Sequence, residues 1–215
     1  MFEIGVDDLH KLLLEGRMAA QYAWEHYDEL AARKATYTLY GPYAHYIGAG
    51  VPSNLTPKKA RKLAKNTRRI DYLIYELDET YKVLRTISVC DYAKTECVYH
   101  QFELNGTSYA YPFRGSEKVM YTDSVVACRF LHGKPTYFGI VDKPLLLAQF
   151  YEYDSSNEMT VSTYQYWPIA KHTKHGYPVE HNAPIGALNS SVQIHCHKEV
   201  CEFVDFAEWF RAMSN

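Results

Sequence analysis

From residue 70 to about residue 201 the chain is a succession of short runs of β-branched and aromatic residues separated by turn-forming residues. No helical stretch between them is long enough for a crossover, and the longest interval, residues 168–191, is rich in Pro, Gly, His and Asn and reads as a long loop. Parallel strands need such crossovers, whereas antiparallel strands need only a turn, so this stretch folds as consecutive hairpins. Residues 72–77 and 81–89 flank Asp78-Glu79-Thr80, and residues 97–104 and 107–113 flank Asn105-Gly106, a strong two-residue hairpin signal. Residues 125–131 pair with 136–141 across His132-Gly133-Lys134, and 145–153 pair with 159–167 across 154–157. The predicted sheet is a mainly antiparallel meander or partly closed barrel of about 7–9 strands. This excludes a doubly wound, dinucleotide-binding architecture.

The segments on either side of the sheet have a different period. Leu9, Leu12, Leu13, Ala20, Ala23, Trp24, Tyr27, Leu30 and Ala31 recur at helical spacing, with Asp7 or Asp8 as N-terminal cap and Gly16 as a point of bending or splitting. Residues 36–54 mix Gly41-Pro42, Gly48, Gly50 and Pro52 with Tyr37, Tyr40, Tyr43 and Tyr46, which reads as an aromatic, structured loop with short extended pieces. Thr56-Pro57 then opens a second helix, to about residue 67, because a proline at the first helical position loses no hydrogen bond. At the other end, Phe206, Trp209, Phe210 and Met213 form an apolar stripe behind the Asp205/Glu208 capping-box spacing. The expected organisation is one α+β domain over 1–215: a helical part over 1–69, the sheet over 70–201 and a C-terminal helix over 202–215.

With 47% hydrophobic and 22% charged residues the chain can bury a sizeable core, and its net charge of −2 gives no global attraction to nucleic acid or anionic membrane. Its 20 tyrosines suit half-buried strands and wet binding surfaces alike. The five cysteines are odd in number and form no CxxC pair, the pattern of reduced thiols in a cytoplasmic protein. The first sixteen residues carry acids where a secretory signal carries positive charge, and no window holds the roughly 18 apolar residues of a membrane span, so neither signal nor membrane integration is expected.

Two segments carry candidate chemistry. Lys58, Lys59, Arg61, Lys62, Lys65, Arg68 and Arg69 crowd seven cations into twelve residues, where mutual repulsion costs roughly 1 kcal/mol unless an anion relieves it. With Tyr43 and Tyr46 as stacking faces and Arg114, at the end of a strand, as a clamp, they form a candidate site for a phosphate-bearing ligand, a nucleotide or nucleic acid. The plainer account is a solvated face, or pairing with Asp71, Glu76, Asp78 and Glu79.

The second segment holds His172, His175, His181, His195 and His197. His172, His175, His195 and His197 are candidate acid–base groups for a small hydrolase or nuclease, and His195, His197 and Cys201 are donors of the type zinc accepts, though in no standard zinc spacing. A packed or solvated histidine loop is the plainer account. A third class, a protein-interaction or inhibitor module or a homo-oligomer, follows from exposed tyrosines alone. The chain contains no P-loop, dinucleotide fingerprint, HExxH or GxSxG.

Overall fold

The computed structural model describes residues 4–42, 51–52, 72–90, 95–121, 124–132, 134–142, 145–155, 159–166, 188–196 and 203–204. Helix α1 (Val6–Glu25) begins where the Asp8 carboxylate accepts the Gly5 N–H at 3.0 Å, the acid-at-N3 half of a capping box. It runs unbroken through Gly16 and stops at His26, whose N–H bonds the Tyr22 carbonyl and whose ring stacks on Tyr22 at 4.0 Å. A short helix α2 (Tyr27–Ala32) continues the same stripe, so Leu9, Leu12, Leu13, Gly16, Ala19, Ala23, Tyr27 and Leu30 are all buried.

The strands are β1 (Tyr37–Pro42), β2 (Val51–Pro52), β3 (Tyr72–Leu77), β4 (Val83–Cys90), β5 (Thr95–Leu104) and β6 (Thr107–Arg114). They continue as β7 (Val125–Leu131), β8 (Lys134–Asp142), β9 (Leu145–Tyr153), β10 (Met159–Tyr166), β11 (Leu188–Cys196) and β12 (Phe203–Val204). Ten of them form one antiparallel sheet in the order β1-β3-β4-β5-β6-β7-β8-β9-β10-β11, a meander broken only where β2 leaves to pair with β12. The hairpins follow the turn chemistry. Asn105 and Gly106 both take positive φ (50° and 73°), as a type I′ turn requires. Asp78 Oδ1 accepts the N–H groups of Thr80 and Lys82, which delays β4 to Val83.

Three expectations shift. Residues 37–42, within the segment read as a loop with short extended pieces, are a full six-residue paired strand, since Tyr37-Thr38-Leu39-Tyr40 is itself a β-favouring run and Pro42 falls at its end. Residues 203 and 204, placed at the start of a C-terminal helix, are extended against Val51–Pro52. The sheet has ten strands, counting β1 and β11. The expected helices at 57–67 and 206–213 lie outside the described residues.

Helix α1 packs on β6 to β10 and α2 on β5, so the core is the space between these helices and one face of the sheet. Period-2 alternation delivers the inner residues. β8 alternates strictly, with Tyr137, Gly139 and Val141 buried. Two polar clamps fix the helices. Arg129 donates to Glu15 Oε2 of α1 (2.6 Å) and to Thr107 Oγ1 (2.7 Å), and lies over the Tyr137 ring. At the opposite end Arg85 donates to Glu76 and to the Ala31 and Arg33 carbonyls at the C-terminal end of α2, while Arg33 donates to the Leu84 and Gln101 carbonyls.

Candidate functional site: an open apolar cavity

Along α1, Gly16, Ala20 and Trp24 recur at i, i+4 and i+8 and so stand in line on one side of the helix. Opposite them are Tyr111 of β6, Val125 of β7 and Val141 of β8. Helix and sheet meet tightly at one end of this line. A Cβ on Gly16 would stand 2.3 Å from Val141 Cγ2, so only glycine permits the approach. At the other end the Trp24 ring lies parallel to Phe113 at 6.3 Å, with the Lys118 ammonium 5.5 Å above the indole. Between these two contacts the small side chain at Ala20 leaves a cavity of about 400 Å³, open to solvent.

Its lining is almost wholly carbon. Arg17 and Gln21, one turn apart on α1, are the polar residues, and Met120, in the segment after β6, completes the wall. The Gln21 amide nitrogen is held by Glu25 (2.8 Å), whereas Arg17 makes no hydrogen bond or ion pair with a described residue. Trp24 is 44% exposed and Met120 41% exposed, so the wall opens onto an apolar rim. Enclosed dry voids cost on the order of 20 cal/mol per Å³, which at this volume would rival a whole domain's stability of about 5–15 kcal/mol. A gap this large is sustainable as an open groove that solvent or a ligand fills, and its volume falls in the ligand-pocket range of about 300–1,000 Å³.

Other reactive groups lie elsewhere and are quiet. Burial pushes the Cys97 thiol up to about 11 and the Cys128 thiol up to about 12, so neither supplies a thiolate at neutral pH. His100 is buried between Tyr27 and Phe113, with Nδ1 unpartnered and a folded pKa lowered to about 4 by burial, then by Arg85 and Arg33. A ring with that pKa is neutral and sealed away from substrate.

The residues singled out from sequence are distributed as follows. Arg114 ends β6, exposed, with its N–H bonded to the Val119 carbonyl before a turn in which Gly115 has φ of 57°. His195 lies on β11 opposite Thr160 of β10. Tyr43, Tyr46, Lys58, Lys59, Arg61, Lys62, Lys65, Arg68, Arg69, His172, His175, His197 and Cys201 lie outside the described residues. Among the described residues no group of three or more His, Cys, Asp or Glu is arranged to hold a metal ion. No described helix is long and apolar enough to cross a membrane.

Sequence reasoning passed over the cavity residues. Their signal was the Gly16, Ala20, Trp24 spacing, two small residues and a large ring on one line of an amphipathic helix. The class so defined is an α+β protein in which an antiparallel meander and an N-terminal helix enclose a ligand-sized apolar groove. No protein-family model matches this chain, and no curated protein or solved structure is detectably similar to it.

Proposed function

We propose that this chain is a binding protein that takes a small, mainly apolar molecule into the groove between α1 and strands β6 to β8. The observation that supports this is the carbon-lined cavity of about 400 Å³ beneath Ala20, open at an apolar rim. A buried apolar surface of this kind binds by desolvation, which gains about 0.8 kcal/mol for each methylene taken from water. The direct test is a series of neutral primary alcohols of increasing length, titrated by calorimetry and tryptophan fluorescence. Affinity rises about fourfold per methylene until the cavity is full, then levels. Ala20→Phe, which fills the groove from the helix side, removes binding while leaving the unfolding transition in place. Affinity independent of chain length, or unaffected by Ala20→Phe, overturns the proposal.

A phosphate-bearing ligand, nucleotide or nucleic acid, is a second proposal. It is favoured by the seven cations of residues 58–69 in a chain of net charge −2. Its signature is oligonucleotide or nucleotide affinity that falls with added salt and is lost when Lys58, Lys59, Arg61 and Lys62 become alanine. Absence of binding, or binding indifferent to salt, rejects it.

A further inference from the structure

We infer that the occupant of the groove is an anionic amphiphile: a medium-length alkyl chain inside, with a carboxylate at the mouth held by Arg17. This rests on the groove being a ligand site, and adds to that reading the chemistry of the ligand's polar end.

Arg17 and Gln21 sit together one helical turn apart in a lining whose other polar side-chain atoms are the Tyr111 hydroxyl and the Trp24 indole nitrogen. Arg17 is the one of the four that carries charge, and it sets where an ionised ligand end belongs. Which polar group belongs there follows from what the two side chains already do. The Gln21 amide donates one of its two N–H groups to Glu25, on the solvent side, and what it has left to offer is neutral. The Arg17 guanidinium makes no hydrogen bond or ion pair with a described residue, its recorded interaction being a Coulombic one with Tyr166, so its fork of five N–H donors can meet a carboxylate in two parallel hydrogen bonds. Lys118 lies over the indole of Trp24, at the Phe113 end of the groove, and is not part of the lining. Glu25, exposed on α1, is turned to Gln21. Arg17 is the one charged residue of the lining, set beside an apolar interior, the complement of an amphiphilic anion.

Size sets the chain. At about 30 Å³ for each non-hydrogen atom, the space one water molecule occupies, a cavity of about 400 Å³ accepts roughly thirteen such atoms. Decanoate, with ten carbons and two oxygens, fits this limit and is the probe.

The test compares decanoate, decan-1-ol and decylammonium on the full chain at low salt, well below their micelle concentrations. A charge-assisted bidentate contact at a partly exposed site makes decanoate about tenfold tighter than decanol, and decylammonium the weakest. Added salt narrows the decanoate advantage, because exposed charges are screened over about 10 Å at 0.1 M. Arg17→Met keeps the aliphatic stem and brings the decanoate-to-decanol affinity ratio to about one, whereas Arg17→Lys keeps part of it. Equal affinity for decanoate and decanol in the native protein, or a ratio untouched by Arg17→Met, overturns the inference while the groove stands as an apolar site. Failure of all three probes to bind removes both the inference and the reading beneath it.

Discussion

Acidification is expected to destabilise this fold through His100, and the size of the effect can be worked from its surroundings. The ring is 3% exposed, packed edge-on against Tyr27 and Phe113, with Nδ1 unpartnered and with Arg85 directly opposite on β4. Burial, then the Arg85 and Arg33 guanidinium groups, lower its pKa from 6.5 to about 4. Between these two values the unfolded chain takes up a proton that the folded chain refuses. The stabilisation is therefore complete above pH 6.5 and declines as pH falls towards 4, where the loss approaches 3 kcal/mol, at about 1.4 kcal/mol for each pKa unit. At pH 5.5 the loss is about 1.3 kcal/mol, before most carboxylates begin to titrate.

The measurement is urea unfolding at pH 7.5, 6.5, 5.5 and 4.5 for the native protein and for His100→Gln. The variant removes this one proton and leaves the other histidines and every carboxylate in both curves. The native protein is expected to lose about 1.3 kcal/mol more than the variant between pH 7.5 and 5.5, and about 2.5 kcal/mol more by pH 4.5. Parallel curves would refute the reasoning, because they would mean that the folded ring accepts a proton as readily as the unfolded one.

Two further outcomes probe the contacts that place the groove. Gly16→Ala gains roughly 1 kcal/mol of helix propensity but puts a Cβ 2.3 Å from Val141 Cγ2, and the overpacking, about 1–3 kcal/mol, dominates. In a Val141→Gly background the three nearest atoms, Cγ2, Cβ and Cγ1 of Val141, are all removed, so the same substitution becomes stabilising; chemical denaturation of all four cycle members checks the reversal, and an unchanged sign refutes it. Arg85→Met removes the cation beside half-buried Glu76 and the donors to the Ala31 and Arg33 carbonyls, costing about 2–4 kcal/mol, with Arg85→Lys recovering less than half because an ammonium cannot fork across three acceptors. A thermal melt within 2 °C of the native value in Arg85→Met would contradict this.

The strands were legible because both of their signals are local. Alternation and turn residues placed hairpins at 72–89, 97–113, 125–141 and 145–167, and strands β3 to β10 occupy those positions within a few residues. The displaced ends have local causes too, such as the Asp78 carboxylate that holds residues 80 and 82 out of β4. Helix α1 was legible in its stripe but not in its break. Gly16 has the lower helix propensity, yet it is buried against Val141, where tertiary contact outweighs propensity; the chain turns instead at His26, whose ring stacks back on Tyr22. The clamps were invisible, because Arg129 meets Glu15 across more than a hundred residues and no spacing rule reaches that far. The charged and histidine-rich segments, which drew most notice in the sequence, fall almost entirely outside the described residues.

The tyrosine content finds part of its explanation in the same geometry, and so does the groove. Tyr109, Tyr111, Tyr137, Tyr164 and Tyr166 are buried on the inner face, where large rings fill the space under α1 but bring hydroxyls that need partners. The helix serves one of these hydroxyls directly, His10 Nδ1 meeting that of Tyr166 at 2.8 Å, and its Glu15 holds the Arg129 that lies over the Tyr137 ring face. These contacts, with Gly16 on Val141, seat the N-terminal half of α1 on β7 to β10. The C-terminal half is seated separately, by Trp24 and Tyr27 on Phe113. From Gly16 to Trp24 is eight residues, about 12 Å of helix, and over that length the side chains on the sheet side are the alanines Ala19, Ala20 and Ala23. Large rings at both ends and small alanines between them leave space under Ala20 unfilled, so the groove follows from how the helix is anchored. A bulky residue at position 20 would close it without disturbing either support.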